Sequence, residues 1–145
     1  MGFRRKAREL ALQLLFQIDF TGDRIAIPPS FWSENEALPQ VKSFAEILVQ
    51  GVLKHLSEID QIIEKYTRHW SRDRMAAIDR NILRFAIFEL LYLKEIPPKV
   101  TINEAIEIAK KFGSEDSGAF VNGILDRIHH DETTLHSSDL KQGAL

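Results

Sequence analysis

The 145-residue chain is 44% hydrophobic with a net charge of −2, enough apolar material for one domain and too little charge to attract a polyanion as a whole. Any grip on nucleic acid must come from a local patch or from a partner's charge. The absence of cysteine excludes disulfides, thiolate catalysis and Cys-ligated zinc, and Gln13, Gln17 and Asp19 interrupt the basic start too soon for a signal peptide or membrane span.

Apolar residues recur at helical spacing nearly throughout and no stretch alternates as a strand, so an all-α fold is expected. Phe3, Ala7, Leu10, Ala11, Leu14 and Ile18 form a stripe that predicts a helix from Phe3 to about Phe20. Arg4, Arg5, Lys6 and Arg8 crowd its first two turns, where the helix dipole disfavours cations by roughly 0.3–1 kcal/mol each. An anion drawing on those side chains and on the free backbone N–H groups would justify the arrangement. At about 100° per residue, Arg5, Arg8, Leu12 and Phe16 fall opposite the core stripe, with Phe20 nearby. Guanidinium groups beside an aromatic ring suit single-stranded RNA, the cations serving phosphates and the ring a splayed base. Two plainer readings stand beside this one: a solvated chain start, or a central helix whose Leu12 and Phe16 pack under a second layer.

Thr21-Gly22-Asp23 breaks the helical pattern, and the stretch to Pro39 reads as a long connection with a short turn around Phe31-Trp32. Helical spacing resumes at Val41 and runs through Tyr66, with a bend expected near Gly51 or Ser57. His69-Trp70-Ser71 reads as a terminus, with Ser71 as an N-cap for the next helix. From Met75 to Leu93 apolar residues point in nearly every direction, the mark of a central helix with a narrow polar strip at Arg80, Asn81 and Arg84. Glu89 lies beside Ile82 and Phe85, so it should be buried and needs a partner. Pro97-Pro98 stops this helix.

Thr101 followed by Glu104 reads as a capping box and Gly113 as a left-handed helix end. Ser114 or Asp116 can cap the last helix, which Phe120, Val121, Ile124, Leu125 and Ile128 carry. Gly118 and Gly123 each lower helix propensity by about 1 kcal/mol, so a close approach to that backbone is expected, by another helix rather than by RNA. Asn103 and Asn122 read as internal hydrogen-bonding groups. Residues 1–130 are taken as one helical domain and 131–145 as a loose polar tail. No phosphate loop, dinucleotide fingerprint or His-Glu-x-x-His spacing is present, and the adjacent His129 and His130 leave a helix about 100° apart. No catalytic residue, cofactor site or metal site is predicted.

Four runs are similar in order and spacing to the NusB family of bacterial transcription antitermination factors. They are RRKARE from Arg4, ILRFAIFEL from Ile82, VTINEAIEIAKKFG from Val100 and FVNGILD from Phe120. The resemblance spans residue 3 to about 130 and is most specific in the C-terminal half. It implies a compact all-α bundle of about seven helices in two subbundles, without enzymatic activity. It also implies pairing with NusE, itself a small-subunit ribosomal protein. Together the two would bind the boxA RNA of ribosomal-operon leader transcripts in the bacterial cytoplasm and help RNA polymerase read through terminators. By this resemblance Arg4, Arg5, Lys6, Arg8, Phe16, Asp116 and Phe120 are RNA-binding positions, and Asp79 faces the protein partner. Phe16 lacks the hydroxyl of the Tyr often found in relatives, and Ala119, after Gly118, replaces a frequent Lys, which weakens the RNA assignment at the last helix. A homodimer is compatible with the sequence. Two rivals keep the fold: a helical adaptor that binds only protein, and the RNA-binding module found fused to ribosomal-RNA cytosine methyltransferases. The second would need a cofactor-binding sheet and a catalytic cysteine that these residues do not supply.

Overall fold

Eleven consecutive residues, Asn81 to Leu91, are buried in a single helix, and the rest of the molecule is arranged around it. The computed structural model describes residues 2–22, 27–68 and 75–133. Its helices are α1 (Phe3–Thr21), α2 (Phe31–Glu34), α3 (Pro39–Lys54), α4 (Leu56–Tyr66), α5 (Ala77–Tyr92), α6 (Pro98–Phe112) and α7 (Ser117–Ile128), followed by a π-helical turn at His129–Thr133. The central helix is α5: α1 and α3 pair with each other against one part of it, while α4, α6 and α7 cover the rest. There is no strand among the described residues. Among them, too, no helix is long and apolar enough to cross a membrane.

Local chemistry explains most of the boundaries. Gly22 ends α1 in the left-handed region at φ 80°, donating its N–H to Ile18 O, a conformation that only glycine adopts cheaply. Pro39 and Pro98 open α3 and α6 in the first turn, where a missing N–H costs no helical bond. The expected bend between α3 and α4 falls at His55, whose φ of −111° and ψ of 22° interrupt the helix for one residue. Gly51 serves packing instead, since a Cβ there would collide with the Phe88 ring and keep α3 from approaching α5.

Several local expectations are corrected. The capping box does not form, because Pro98 starts α6 a turn earlier and leaves Thr101 inside the helix, its hydroxyl donating to Glu89 Oε1 at 2.9 Å. Gly113 is extended at φ −94° rather than left-handed, and is required for room, since a Cβ would strike the Ser117 side chain. Gly118 does admit a close neighbour, with Lys110 Cγ 3.1 Å from where its Cβ would be, whereas Gly123 faces open space. Asn103 and Asn122 are exposed rather than internal. Asp131 and Glu132, expected in a loose tail, are tied to α4: Tyr66 donates its hydroxyl to both, each at 3.1 Å, and Lys65 pairs with Glu132 at 2.8 Å. The predicted terminus and cap at His69-Trp70-Ser71, and residues 134–145, lie outside the described residues.

Candidate nucleic-acid interface

The first turn of α1 has no acidic residue and no side-chain cap, so its free N–H groups and its cations face outward together. Arg4, Arg5 and Lys6 are exposed. Each of the two arginines is nonetheless held by the chain. Arg4 lies with its guanidinium 5.0 Å above the Phe44 ring, a cation–π contact. Arg5 donates from Nε and Nη2 to the two carboxylate oxygens of Glu104, at 2.7 and 2.9 Å. That pairing holds the Glu104 carboxyl below its ordinary range and raises the Arg5 guanidinium further. It leaves Nη1 directed away from the pair and available to a phosphate. Lys6 has no side-chain partner among the described residues.

Arg8 departs from its expected role. Only 2% exposed, it grips Glu89 through two 2.8 Å bonds, from Nε and Nη2. Thr101 donates to the same carboxylate, and the Phe44 ring covers the guanidinium at 5.6 Å. This is the partner that the buried Glu89 required, and it removes Arg8 from the set of cations an RNA could reach. The reason is that α1 lies against both α3 and α5 and buries two of its sides. Leu12, opposite the main stripe, is buried for the same reason, while Phe16 keeps 39% of its surface. The other arginines of the polar strip also serve structure. Arg84 forks onto Asp60 at 2.9 Å and meets Asn81 Oδ1 at 2.9 Å, and Arg80 reaches Asp19 at 2.8 Å.

The last helix contributes differently from its expected cap. Asp116 is exposed and makes no side-chain cap bond, while the turn before α7 is closed by Ser117, whose Oγ accepts the Ser114 N–H at 2.9 Å. The Asp116 carboxylate is therefore free to accept from a base amine. Phe120 is half-buried against the core. Two ion pairs tie α1 to α6: Arg5 to Glu104, and Glu9 to Lys111 at 3.0 Å. Lys111 is five residues from Asp116, so the start of α7 lies within about 18 Å of extended chain from the residue that pairs with Glu9 of α1.

Asp79 sits in the first turn of α5, where the helix dipole favours a carboxylate. It is only 8% exposed, and its Oδ1 meets no hydrogen-bond donor among the described residues. An unsatisfied buried acceptor is expensive, which makes it a natural target for a donor from outside the chain.

Sequence reasoning passed over a cleft of about 410 Å³ between α1 and the end of α6, lined by Gln13, Phe16, Ile78, Lys111 and Phe112 among others. The signal was faint: Lys6, Glu9, Gln13 and Phe16 share one helix face, but the face that completes the cleft lies about 100 residues away. Among the described residues no group of His, Asp and Glu could hold a metal ion.

Comparison with known proteins identifies the family of this fold. The transcription antitermination protein NusB of Myxococcus xanthus is 50% identical over 133 residues, covering 88% of this chain and 95% of that protein. Its counterpart from Geobacter sulfurreducens is 52% identical over 130 residues, covering 88% of this chain and 94% of that protein. Among solved structures, NusB of T. maritima superposes with a TM-score of 0.78 at 43% identity, covering 88% of this chain and 91% of that one. A crystal structure of the antitermination factors NusB and NusE in complex with dsRNA matches with a TM-score of 0.76 at 32% identity, covering 90% of this chain and 98% of that one. The sequence pattern of the NusB family matches residues 5–130, and with these relatives it places the chain in the NusB family.

Proposed function

We propose that this protein is a non-enzymatic transcription antitermination factor that binds boxA-containing single-stranded RNA together with NusE, in the bacterial cytoplasm, and joins the antitermination complex of RNA polymerase through that assembly. The observation that carries the reading is the uncapped, acid-free first turn of α1, with Arg5 and Lys6 presented to solvent. The NusB proteins of M. xanthus and G. sulfurreducens support the antitermination role, and the NusB–NusE–dsRNA complex supports the two partners.

Within this reading Arg4, Arg5 and Lys6 take phosphates, Phe16 offers a ring edge or face to a base, and Asp116 and Phe120 receive the strand at the start of α7. Arg8 acts indirectly, by fixing α1 in place. Asp79 accepts a donor from NusE, and the cations of that partner extend the RNA track. Affinity for RNA then rises with NusE because two linked patches share one strand.

The test is a binding assay with a boxA oligoribonucleotide and a scrambled one, with and without NusE. Preferential boxA binding that tightens with NusE is expected, and Arg5→Ala should flatten the salt dependence by about 0.7 log unit per log salt for the one phosphate lost. Equal binding of both oligonucleotides, or a slope that Arg5→Ala leaves unchanged, refutes it.

A further inference from the structure

Of the two exposed arginines in the first turn of α1, only Arg5 is held by a fork. Glu104, 99 positions further along the chain, accepts from its Nε and Nη2 at 2.7 and 2.9 Å. A surface pair of this kind adds little to stability. It is also an unfavourable neighbour for an anion site, because Glu9 and Glu107 act on the same guanidinium through space, so three carboxylates bear on a cation offered to phosphate. The geometry of the pair gives it a use. A guanidinium carries five N–H donors in one plane, and three remain once Nε and Nη2 have each given one to Glu104. One N–H of Nη1 and the second N–H of Nη2 form another parallel fork along the outer edge, which matches two oxygens of a phosphate.

Glu104 is itself firmly seated. It stands one turn after Thr101 and next to Ala105, both buried, and the Thr101 hydroxyl is bonded to Glu89, the carboxylate that also grips Arg8 of α1. The Glu104 side chain is 21% exposed, whereas that of Arg5 keeps 52% of its surface in solvent. Arg4 provides the contrast: the Phe44 ring supports its face at 5.0 Å, and among the described residues no carboxylate holds its N–H edges. We propose that Glu104 is a positioning residue for RNA: by gripping the inner side of the Arg5 guanidinium, it presents the outer Nη1–Nη2 edge, already oriented, to one phosphate of the strand. The inference rests on the RNA-binding reading above and adds to it a residue that touches no nucleotide. Held in this way, Arg5 is spared the loss of rotamer freedom that an unsupported arginine undergoes on binding.

Charge alone predicts the opposite sign. If Glu104 only repelled phosphate, removing its carboxylate would tighten RNA binding. Titrations of a boxA oligoribonucleotide against the full chain with NusE present should instead show Glu104→Ala binding about two- to ten-fold more weakly, the range set by ordering one long side chain on contact. Glu104→Gln, which keeps the shape and one acceptor oxygen, should lose affinity in the same direction by a smaller factor. In an Arg5→Ala background, Glu104→Ala should bring no further loss. Arg5→Lys, which retains the charge without the fork, should weaken binding by a similar factor and likewise show no further loss on Glu104→Ala. Two results overturn the proposal. In one, Glu104→Ala and Glu104→Gln both bind RNA as tightly as the parent or more tightly, which makes the carboxylate a bystander or a competitor of phosphate. In the other, Glu104→Ala costs the same affinity with and without Arg5, which assigns it to holding α6 against α1. A parent protein that binds no oligonucleotide, with or without NusE, overturns the RNA reading itself and is distinguishable from both.

Discussion

Arg8 separates a structural cation from a ligand-binding one, and replacing it tests that distinction directly. Its guanidinium and the Glu89 carboxylate are both almost fully enclosed, joined by two 2.8 Å bonds, with Thr101 donating to the same acceptor. Arg8→Met keeps the apolar length of the side chain but leaves Glu89 with one hydroxyl donor in a dry setting. Removing one partner of such a pair costs about 3–5 kcal/mol. For a chain of this length that corresponds to a melting temperature lower by roughly 10–20 °C. Pairing Arg8→Met with Glu89→Leu should recover most of the loss, because the uncompensated charge is gone, although the Thr101 hydroxyl then lacks its acceptor. Thermal melts followed by circular dichroism give the stabilities, and RNA titrations below the variant's transition give the salt slope. The salt slope should match the parent's, since a guanidinium committed to Glu89 releases no counterion from RNA. A variant that melts within about 1 kcal/mol of the parent, far below the cost of breaking a buried pair, yet shows a flatter salt slope, would refute the assignment and return Arg8 to the RNA surface.

Three further results are expected. Gly51→Ala should destabilise by about 1–3 kcal/mol through collision with Phe88, whereas Gly123→Ala, in open space on α7, should stabilise by up to about 1 kcal/mol; urea midpoints distinguish them. Asp79→Asn should weaken NusE binding in calorimetry while RNA binding by the isolated protein stays unchanged, because a carboxylate only 8% exposed presents little charge to a strand in solvent. Acid should destabilise the fold through Glu104 and Asp19. The Arg5 hydrogen bond depresses Glu104; burial would raise Asp19, but Arg80 and Arg84 outweigh it and depress that carboxyl too. Both therefore stabilise the fold above their ordinary values of 4.5 and 3.8, and that contribution disappears as pH falls through the depressed folded-state values. Urea midpoints at stepped pH should fall in that acid range, and less steeply in Glu104→Gln.

The helices and the central place of α5 were legible because burial on every side leaves a sequence without a polar face, as Ile82 to Leu91 shows. Burial of Glu89 was legible for the same reason. Its partner was not, because a helical wheel assigns α1 one core face and puts Arg8 on the other. The reading of α1 as a central helix under a second layer covered Leu12, but only the position of α3 and α5 on both sides of α1 reveals that Arg8 is enclosed as well. Thr101 and Glu104 misled in a related way. Their spacing satisfies a local capping rule, but Pro98 pre-empts the helix start, and long-range partners, Glu89 and Arg5, take both side chains. The cations of α1 were visible in the chain. The cleft beside them was not, since its second wall comes from residues far along the sequence.

The fastening of α1 bears on how quickly and how selectively a transcript is caught. A basic arm that orders only on contact loses conformational freedom at that moment and tolerates many strand geometries. In the proposed reading, the Arg8–Glu89–Thr101 junction sets the leading helix before any encounter, so the backbone positions of Arg5 and Lys6 stand at a fixed spacing. Rigid donors reject strands whose backbone cannot match them. On that reading, a portion of the discrimination resides in a junction enclosed away from the strand.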